Sequence, residues 1–154
     1  AMVLKAVPLF FLLPGDGQVL LQPLWVEDLT TCLAWALEDA ASMNQTLSLG
    51  GPETHTFLAL VQIIMKKIGA PRMPVPVRQP YLRALAWWLD GILPRSPLNP
   101  RWLDYLAVSR TGELISVTRH FGLKPARFEF TLNYLEGRSW GRELFRFVFT
   151  RAGA

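Results

Sequence analysis

The residue patterns that most often carry phosphate or metal chemistry are incomplete in this sequence. Gly15 and Gly17 begin a glycine pattern of the dinucleotide-binding type, but Leu20 stands where the third glycine is needed, and no P-loop pattern occurs. The two histidines, His55 and His120, lie far apart in the sequence and have no metal-binding spacing. We therefore predict no catalytic, cofactor-binding or metal-ligating residue in this chain.

The composition is that of a chain that folds. With 51% hydrophobic and 18% charged residues, it has the apolar surface that disordered proteins lack. Its 12 prolines and 11 glycines exclude one long coiled coil, because proline interrupts helices. The longest apolar run, residues 7–13, is far shorter than the roughly 20 residues of a membrane span and contains Pro8. It also lacks the basic leader and cleavage site of a signal peptide.

The cysteine content indicates the redox compartment of the chain, and the charge content indicates which partners it can bind. Cys32 is the only cysteine, which excludes an internal disulfide and agrees with a reducing compartment. The 16 Lys and Arg against 12 Asp and Glu give a formal charge of +4. The arginines are spaced singly among apolar residues, which predicts a solvated rim and no nucleic-acid partner. The expected location is the cytoplasm, with peripheral attachment to a membrane as the alternative.

Hydrophobic periodicity predicts a mainly helical chain with two short strands, at residues 18–26 and 46–49. Residues 71–80, with four prolines, can form only an extended connector or an edge strand. Helices are expected over residues 29–37, 56–69, 81–93, 99–106 and 116–121, and in a stretch opened by Pro125. The first helix should bury a stripe formed by Leu29, Cys32, Leu33, Ala36 and Leu37.

Three residues are predicted to have structural roles at helix ends. Asp28 lies at the start of the first helix, where a carboxylate accepts hydrogen bonds from free backbone N–H groups. Thr56 is expected to be the N-cap of the second helix. Gly122 is expected to end the short helix over residues 116–121, because glycine adopts the left-handed conformation of a C-terminal stop.

Aromatic residues on two of the predicted helices allow two interpretations. Trp87 and Trp88 on the third helix, with Trp102 and Tyr105 on the fourth, can wall an apolar pocket for a lipid-like ligand. We expect the other arrangement, in which they form the core of these helices or a contact between subunits.

Residues 137–154 form a separate segment that is predicted to be a basic amphipathic helix. Arg138, Arg142 and Arg146 recur at every fourth residue among apolar side chains. Such a helix can attach to an anionic membrane surface, or it can dock on a partner or a second copy of the chain. We expect docking and a homo-oligomer, because apolar faces of this kind require cover.

Four short motifs occur in an order that is typical of one superfamily. They are residues 21–29 (LQPLWVEDL), 47–53 (LSLGGPE) followed by Thr56 and Phe57, 121–125 (FGLKP) and 132–135 (LNYL). Together they resemble the C-terminal half of extended and atypical short-chain dehydrogenases, over roughly residues 14–135. The chain is most similar to the NAD-dependent epimerase/dehydratase or NmrA-like subgroup, which includes the Rossmann-type accessory subunit of respiratory complex I.

The resemblance implies an α/β fold, a mainly helical C-terminal fragment of an NAD(P)-binding Rossmann-type extended short-chain dehydrogenase with a few short strands. Residues 1–136 would be the substrate-side lobe with the last Rossmann strands. The missing N-terminal Rossmann half would be its partner and would carry the cofactor glycines. The family's catalytic Tyr has a Lys four residues on, whereas Tyr81, Tyr105 and Tyr134 have none at that distance. The resemblance therefore implies NAD(P) for a full-length parent and a catalytically incomplete chain.

The resemblance also bears on the substrate. Nucleoside-diphosphate-sugar epimerases and dehydratases of this superfamily usually have an Arg and an acidic residue where this chain has Leu21 and Gln22. Because an aliphatic side chain cannot donate to a diphosphate, the expected ligand of this epimerase/dehydratase-like oxidoreductase is apolar or isoprenoid-like. The alternative function is a non-catalytic assembly or protein-interaction module, associated with a membrane surface. The substrate-side candidates are Leu21, Gln22, Trp25, Trp87, Trp88, Trp102 and Tyr105.

The incomplete glycine pattern predicts that this chain binds neither nicotinamide cofactor tightly and transfers no hydride. Isothermal titration of the chain with NAD(H) and with NADP(H) should show no sub-micromolar binding. A sub-micromolar dissociation constant for either cofactor would contradict this prediction.

Overall fold

The computed structural model of the 154-residue chain describes residues 9–92 and 100–137 and the single positions 142 and 146. Leu93 and Asn99, predicted to lie at helix ends, are outside the described residues. So is most of the tail that was predicted to be a basic helix, including Arg138. Arg142 and Arg146, the two described positions of the tail, have helical backbone.

The described residues form a mixed α/β structure in which helices dominate, as expected from the sequence. The strands are β1 (Phe10–Pro14), β2 (Leu20–Leu21), β3 (His55–Thr56) and β4 (Met73–Val77). The α-helices are α1 (Val26–Glu38), α2 (Phe57–Lys67), α3 (Gln79–Ile92), α4 (Pro100–Tyr105) and α5 (Ser116–Phe121). Two 3-10 helices cover Ala40–Ser42 and Phe128–Leu135.

The chain divides into two compact units. The first unit holds the described residues of Ala1–Val19, Thr56–Val108 and Leu135–Ala154. The second unit holds Leu20–His55 and Ser109–Tyr134.

The sheet of the first unit is a parallel pair of strands. β1 pairs with β4, so that Phe10 lies opposite Met73 and Pro14 opposite Val77. Proline occurs in both strands, which is tolerated because a strand in a two-stranded sheet has one unpaired edge. β4 therefore confirms the prediction of an extended or edge segment within residues 71–80.

Helix α2 of the first unit begins and ends as its sequence indicates. The Thr56 side chain is the N-cap and accepts a hydrogen bond from the Ala59 backbone N–H at 3.1 Å. Gly69, just beyond the helix, has a φ of +61°, which a residue without a Cβ adopts readily. Val61 and Met65 form a buried cluster with partly buried apolar neighbours from β1 and α2 itself, and these neighbours are Phe11, Phe57, Ile64 and Ile68.

Helices α3 and α4 form the second cluster of the first unit. Leu82 and Ala86 of α3 and Leu103 of α4 are buried together against Val77 of β4. An ion pair between Arg83 and Asp104 also joins the two helices. The helix predicted over residues 81–93 is thus observed as α3, and Ile92 at its C-terminal end is exposed.

The second unit is organised around α1 and α5. Cys32 of α1 and Val117 of α5 are fully buried, and Ser116 beside Val117 is also buried. The Ser116 hydroxyl accepts a hydrogen bond from the Gly50 backbone N–H at 3.1 Å, so its burial leaves no unsatisfied polar group. Gly122 ends α5 with a φ of +66°, as its position in the sequence predicts.

The predicted burial of α1 is wrong for its leucines. Cys32 is buried and Ala36 half-buried, but Leu29, Leu33 and Leu37 are exposed, Leu37 to 90%. On a helix with about 100° per residue, Cys32 and Ala36 lie at one edge of the predicted stripe. The helix is thus buried along that edge, and the leucines remain at the surface.

Both predicted strands of the second unit differ from the observed ones. The strand expected at residues 18–26 is reduced to β2, because Pro23 cannot donate to a ladder and α1 already begins at Val26. Residues 46–49 are irregular, and β2 pairs with β3 instead. The helix expected from Pro125 begins at Phe128 and is a 3-10 helix.

Candidate functional site

The candidate site lies next to a close contact between two segments of the second unit. Gln22 and Pro23, which follow β2, pass directly over Gly50 and Gly51. A Cβ built on Gly51 would overlap the carbonyl oxygen of Pro23, and one on Gly50 would lie 2.5 Å from the Gln22 carboxamide. Gly51 is therefore required by the close approach of backbone, whereas a Cβ at Gly50 could be accommodated only by a shift of the Gln22 side chain.

The Gln22 side chain fastens three parts of the second unit together. Its Nε2 donates to the Gly51 carbonyl oxygen at 2.7 Å and to the Glu113 carbonyl oxygen at 3.4 Å. Its Oε1 accepts from the Gly112 backbone N–H at 2.6 Å. A carboxamide is suited to this position because it both donates and accepts. The group is thus used for structure, on partners up to 91 residues away in the sequence.

A cavity of about 290 Å³ lies beside this junction, within the second unit. One wall is the segment that leaves Gln22 and enters α1, and the other is the 3-10 helix Phe128–Leu135 with the residue Ala126 before it. The Trp25 and Tyr134 rings, one from each wall, lie 6.1 Å apart at an interplanar angle of 33°. The lining residues are Pro23, Leu24, Trp25, Val26, Ala126, Phe128, Thr131, Leu132 and Tyr134.

Residues that do not line the cavity hold its second wall in place through hydrogen bonds and an ion pair. The Asp28 carboxylate, in the first turn of α1, accepts from the Ala126 backbone N–H at 2.8 Å. Asp28 therefore holds the loop before the 3-10 helix, a longer-range role than the predicted one at the start of its own helix. Glu53 adds a second link, with Arg127 at 3.2 Å and His55 at 3.4 Å. His55 in turn places its ring 6.3 Å from that of Phe128.

The chemistry that this cavity offers is predominantly apolar. Among the lining residues the polar side-chain groups are the Thr131 and Tyr134 hydroxyls and the Trp25 indole N–H, and the Thr131 hydroxyl already donates to the Phe128 carbonyl oxygen at 2.8 Å. None of the lining side chains is cationic. The cavity can therefore hold an apolar group and orient it with a phenol hydroxyl or an indole N–H, but it has no charged donor for a phosphate.

The described residues form neither a metal-binding cluster nor a reactive thiol site. Over residues 9–92 and 100–137 no group of three or more His, Cys, Asp or Glu side chains is placed to hold a metal ion. Burial and, to a smaller extent, the negative charge of Asp28 raise the pKa of the Cys32 thiol. The thiol is therefore protonated at neutral pH and is a poor nucleophile. No helix in this described part of the chain is both long and apolar enough to cross a bilayer.

The predicted substrate-side residues are divided between the two units. Leu21 forms an isolated parallel bridge with Arg110, Gln22 makes the hydrogen bonds given above, and Trp25 lines the cavity. Trp87, Trp88, Trp102 and Tyr105 belong to the first unit and are all exposed. The expectation that they form a helical core is wrong, because Leu82, Ala86 and Leu103 fill that core instead.

Most of the second wall was not singled out by sequence reasoning. Residues 132–135 were recognised as a motif, and the stretch opened by Pro125 was predicted only as a helix that packs Phe128, Leu132 and Leu135. A 3-10 helix has three residues per turn, so residues three apart share a side. The spacing of Phe128, Thr131 and Tyr134 is the signal that could have indicated one continuous wall.

No protein-family model matches this chain, and no curated protein matches it either.

The contact between Gly51 and Pro23 predicts that Gly51→Ala destabilises the second unit. Because the added Cβ would overlap a backbone oxygen, the chain must shift, and we expect a loss of about 2 kcal/mol or more in the free energy of unfolding. Urea unfolding followed by circular dichroism measures this loss.

Gly112→Ala is the matched control. Its Cβ would meet only the Gln22 carboxamide oxygen, at 3.9 Å, and its N–H remains available to Gln22. We expect a change within about 1 kcal/mol in either direction. Equal losses for the two variants would contradict the proposed close approach.

Proposed function

We propose that this chain forms the substrate-side part of an NAD(P)-dependent oxidoreductase of the extended or atypical short-chain dehydrogenase type, of the epimerase/dehydratase-like class. In this proposal its cavity binds an apolar, isoprenoid-like or acyl portion of the substrate. The observation that carries the proposal is the apolar cavity between the Pro23–Val26 segment and the Phe128–Leu135 helix, which joins two of the motifs that resemble that superfamily.

The lining favours an apolar substrate over a nucleotide sugar. A diphosphate is normally held by arginine or by several backbone N–H groups, and the lining has no cationic side chain. Leu21 stands where the superfamily's arginine is usual, and Gln22 next to it is fully engaged with backbone atoms of Gly51, Gly112 and Glu113.

The cavity volume favours a part of a ligand over a whole cofactor. Pockets for complete drug-sized molecules usually measure about 300–1,000 Å³, and 290 Å³ lies just below that range. A prenyl or short acyl group fits such a space. Burial of such a group would be driven by its apolar surface, at about 25 cal/mol for each Å² removed from water.

The parallel strand pair supports the Rossmann-type part of the proposal. Parallel sheets are normally covered on both faces, and a pair of strands alone is marginally stable. In this chain Leu9, Phe10 and Leu12 of the β1 region and Met73 of β4 are exposed. We propose that β1 and β4 belong to a larger parallel sheet whose other strands, with the cofactor glycines and the Tyr–Lys pair, lie outside these 154 residues.

A second candidate function is a non-catalytic assembly module. The exposed apolar surface of α1 favours it, because Leu29, Leu33 and Leu37 are exposed along one side of a helix whose Cys32 edge alone is buried. Such a surface suits contact with another polypeptide. In this alternative the cavity has no substrate.

The ligand proposal predicts that the chain binds a fluorescent farnesol analogue in the cavity, as measured by fluorescence anisotropy. Tyr134→Asp places a carboxylate on the lining at an exposed position and should weaken binding by about tenfold or more, because the apolar ligand would have to desolvate a charge.

Phe130→Asp is the matched control. Phe130 lies on the same 3-10 helix, is also exposed and does not line the cavity. The affinity of the Phe130→Asp variant for the analogue should therefore stay within about twofold of that of the unsubstituted chain. UDP-glucose should not displace the analogue. Absence of binding, equal effects of the two substitutions, or displacement by UDP-glucose would each contradict the proposed ligand class.

A further inference from the structure

Helix α3 has two apolar sides, and the contacts within the described residues bury one of them. Leu82 and Ala86 on the buried side pack with Leu103 of α4. Trp87 and Trp88 are 79% and 61% exposed. At about 100° per residue, Trp88 shares a stripe with the exposed residues Tyr81 and Ile92. Trp87 lies about 100° from Trp88 around the helix, with the exposed residues Ala84 and Gly91 between them. An arc of α3 from Trp87 to Ile92 is therefore apolar and exposed.

Helix α4 adds two more exposed aromatic side chains. Trp102 is 64% exposed, Tyr105 is also exposed, and their rings meet edge to face at 5.8 Å. The ion pair between Arg83 and Asp104 ties α4 to α3. We refer to the exposed aromatic residues of these two helices as the aromatic set, which consists of Tyr81, Trp87, Trp88, Trp102 and Tyr105.

The residue types in the aromatic set are typical of side chains at a membrane–water interface. Trp and Tyr have a large apolar ring with one polar group, and they concentrate where hydrocarbon meets water at membrane interfaces. An interfacial helix needs no partner for each polar group, because headgroups and water supply the hydrogen bonds. Three tryptophans at more than 60% exposure on two short, linked helices are suited to such a boundary.

Charge distinguishes the two units and favours an anionic surface for the first. The described residues of the first unit include 8 Lys and Arg and 4 Asp and Glu, which leaves +4. The second unit has 4 Lys and Arg and 7 Asp and Glu, which leaves −3. The aromatic set therefore belongs entirely to the basic unit, and anionic lipid headgroups attract basic protein surfaces over about one Debye length.

We propose that the exposed arc of α3 is a docking surface for an anionic membrane, to which the first unit binds by inserting Trp87 and Trp88 at headgroup depth, with Trp102 and Tyr105 of α4 as further interfacial side chains. A second copy of the chain fits less well, because joining two copies through this surface would bring together two units whose described residues each sum to +4. This inference is independent of the cavity and its ligand, which lie in the other unit.

Vesicle co-sedimentation tests the proposal directly. The chain should bind phosphatidylcholine vesicles in which roughly a third of the lipid is phosphatidylglycerol, and binding should weaken in pure phosphatidylcholine and at high salt. Trp87→Ala/Trp88→Ala should reduce the partition constant by about tenfold or more. Because both side chains are exposed, circular dichroism of this double variant should show an intact fold.

Phe130→Ala supplies the matched control, since it removes an exposed aromatic ring from the acidic unit. It should leave the partition constant unchanged. No binding to anionic vesicles, or an equal loss for Phe130→Ala, would overturn the proposal. So would sedimentation velocity showing a dimer that Trp87→Ala/Trp88→Ala converts to monomer in the absence of lipid, because the surface would then belong to self-association.

Discussion

The structure of the second unit depends on the contact of Gln22 and Pro23 with Gly50 and Gly51. The contact is possible only because two consecutive residues lack a Cβ, and the Gln22 carboxamide then joins Gly51 to Gly112. It fixes the point from which the chain turns into α1. The first wall of the cavity, from Pro23 to Val26, is thus set by steric fit and hydrogen bonding before any apolar packing is considered.

Charge divides the chain into two units. The acidic unit holds an apolar cavity and positions its walls with carboxylates, as Asp28 does with the Ala126 N–H. The basic unit holds most of the buried apolar residues and exposes aromatic residues on α3 and α4. A substrate-side lobe that takes an apolar ligand and a basic surface that meets lipid are compatible chemistries, since apolar ligands partition into membranes. The two proposals nevertheless rest on separate residues and can fail separately.

The sequence was sufficient to predict features that depend on residues adjacent in the chain. The Thr56 cap and the Gly122 stop follow from neighbouring residues. Strand β1 was missed because its pairing with β4 joins residues some 60 positions apart, and a run of apolar residues alone does not reveal a partner. The links made by Gln22 were missed for the same reason. The leucines of α1 were misplaced because periodicity shows which residues share a face, but not which face is covered.

Amide hydrogen exchange, read by NMR, tests the central contact most directly. The Gly112 and Ala126 N–H groups both lie outside regular secondary structure, and both donate to a side chain from a distant segment, Gln22 and Asp28 respectively. We expect both amides to be protected, and Gln22→Ala to abolish protection at Gly112 while Ala126 stays protected. Exchange at Gly112 as fast as in an unfolded chain, before any substitution, would contradict the account.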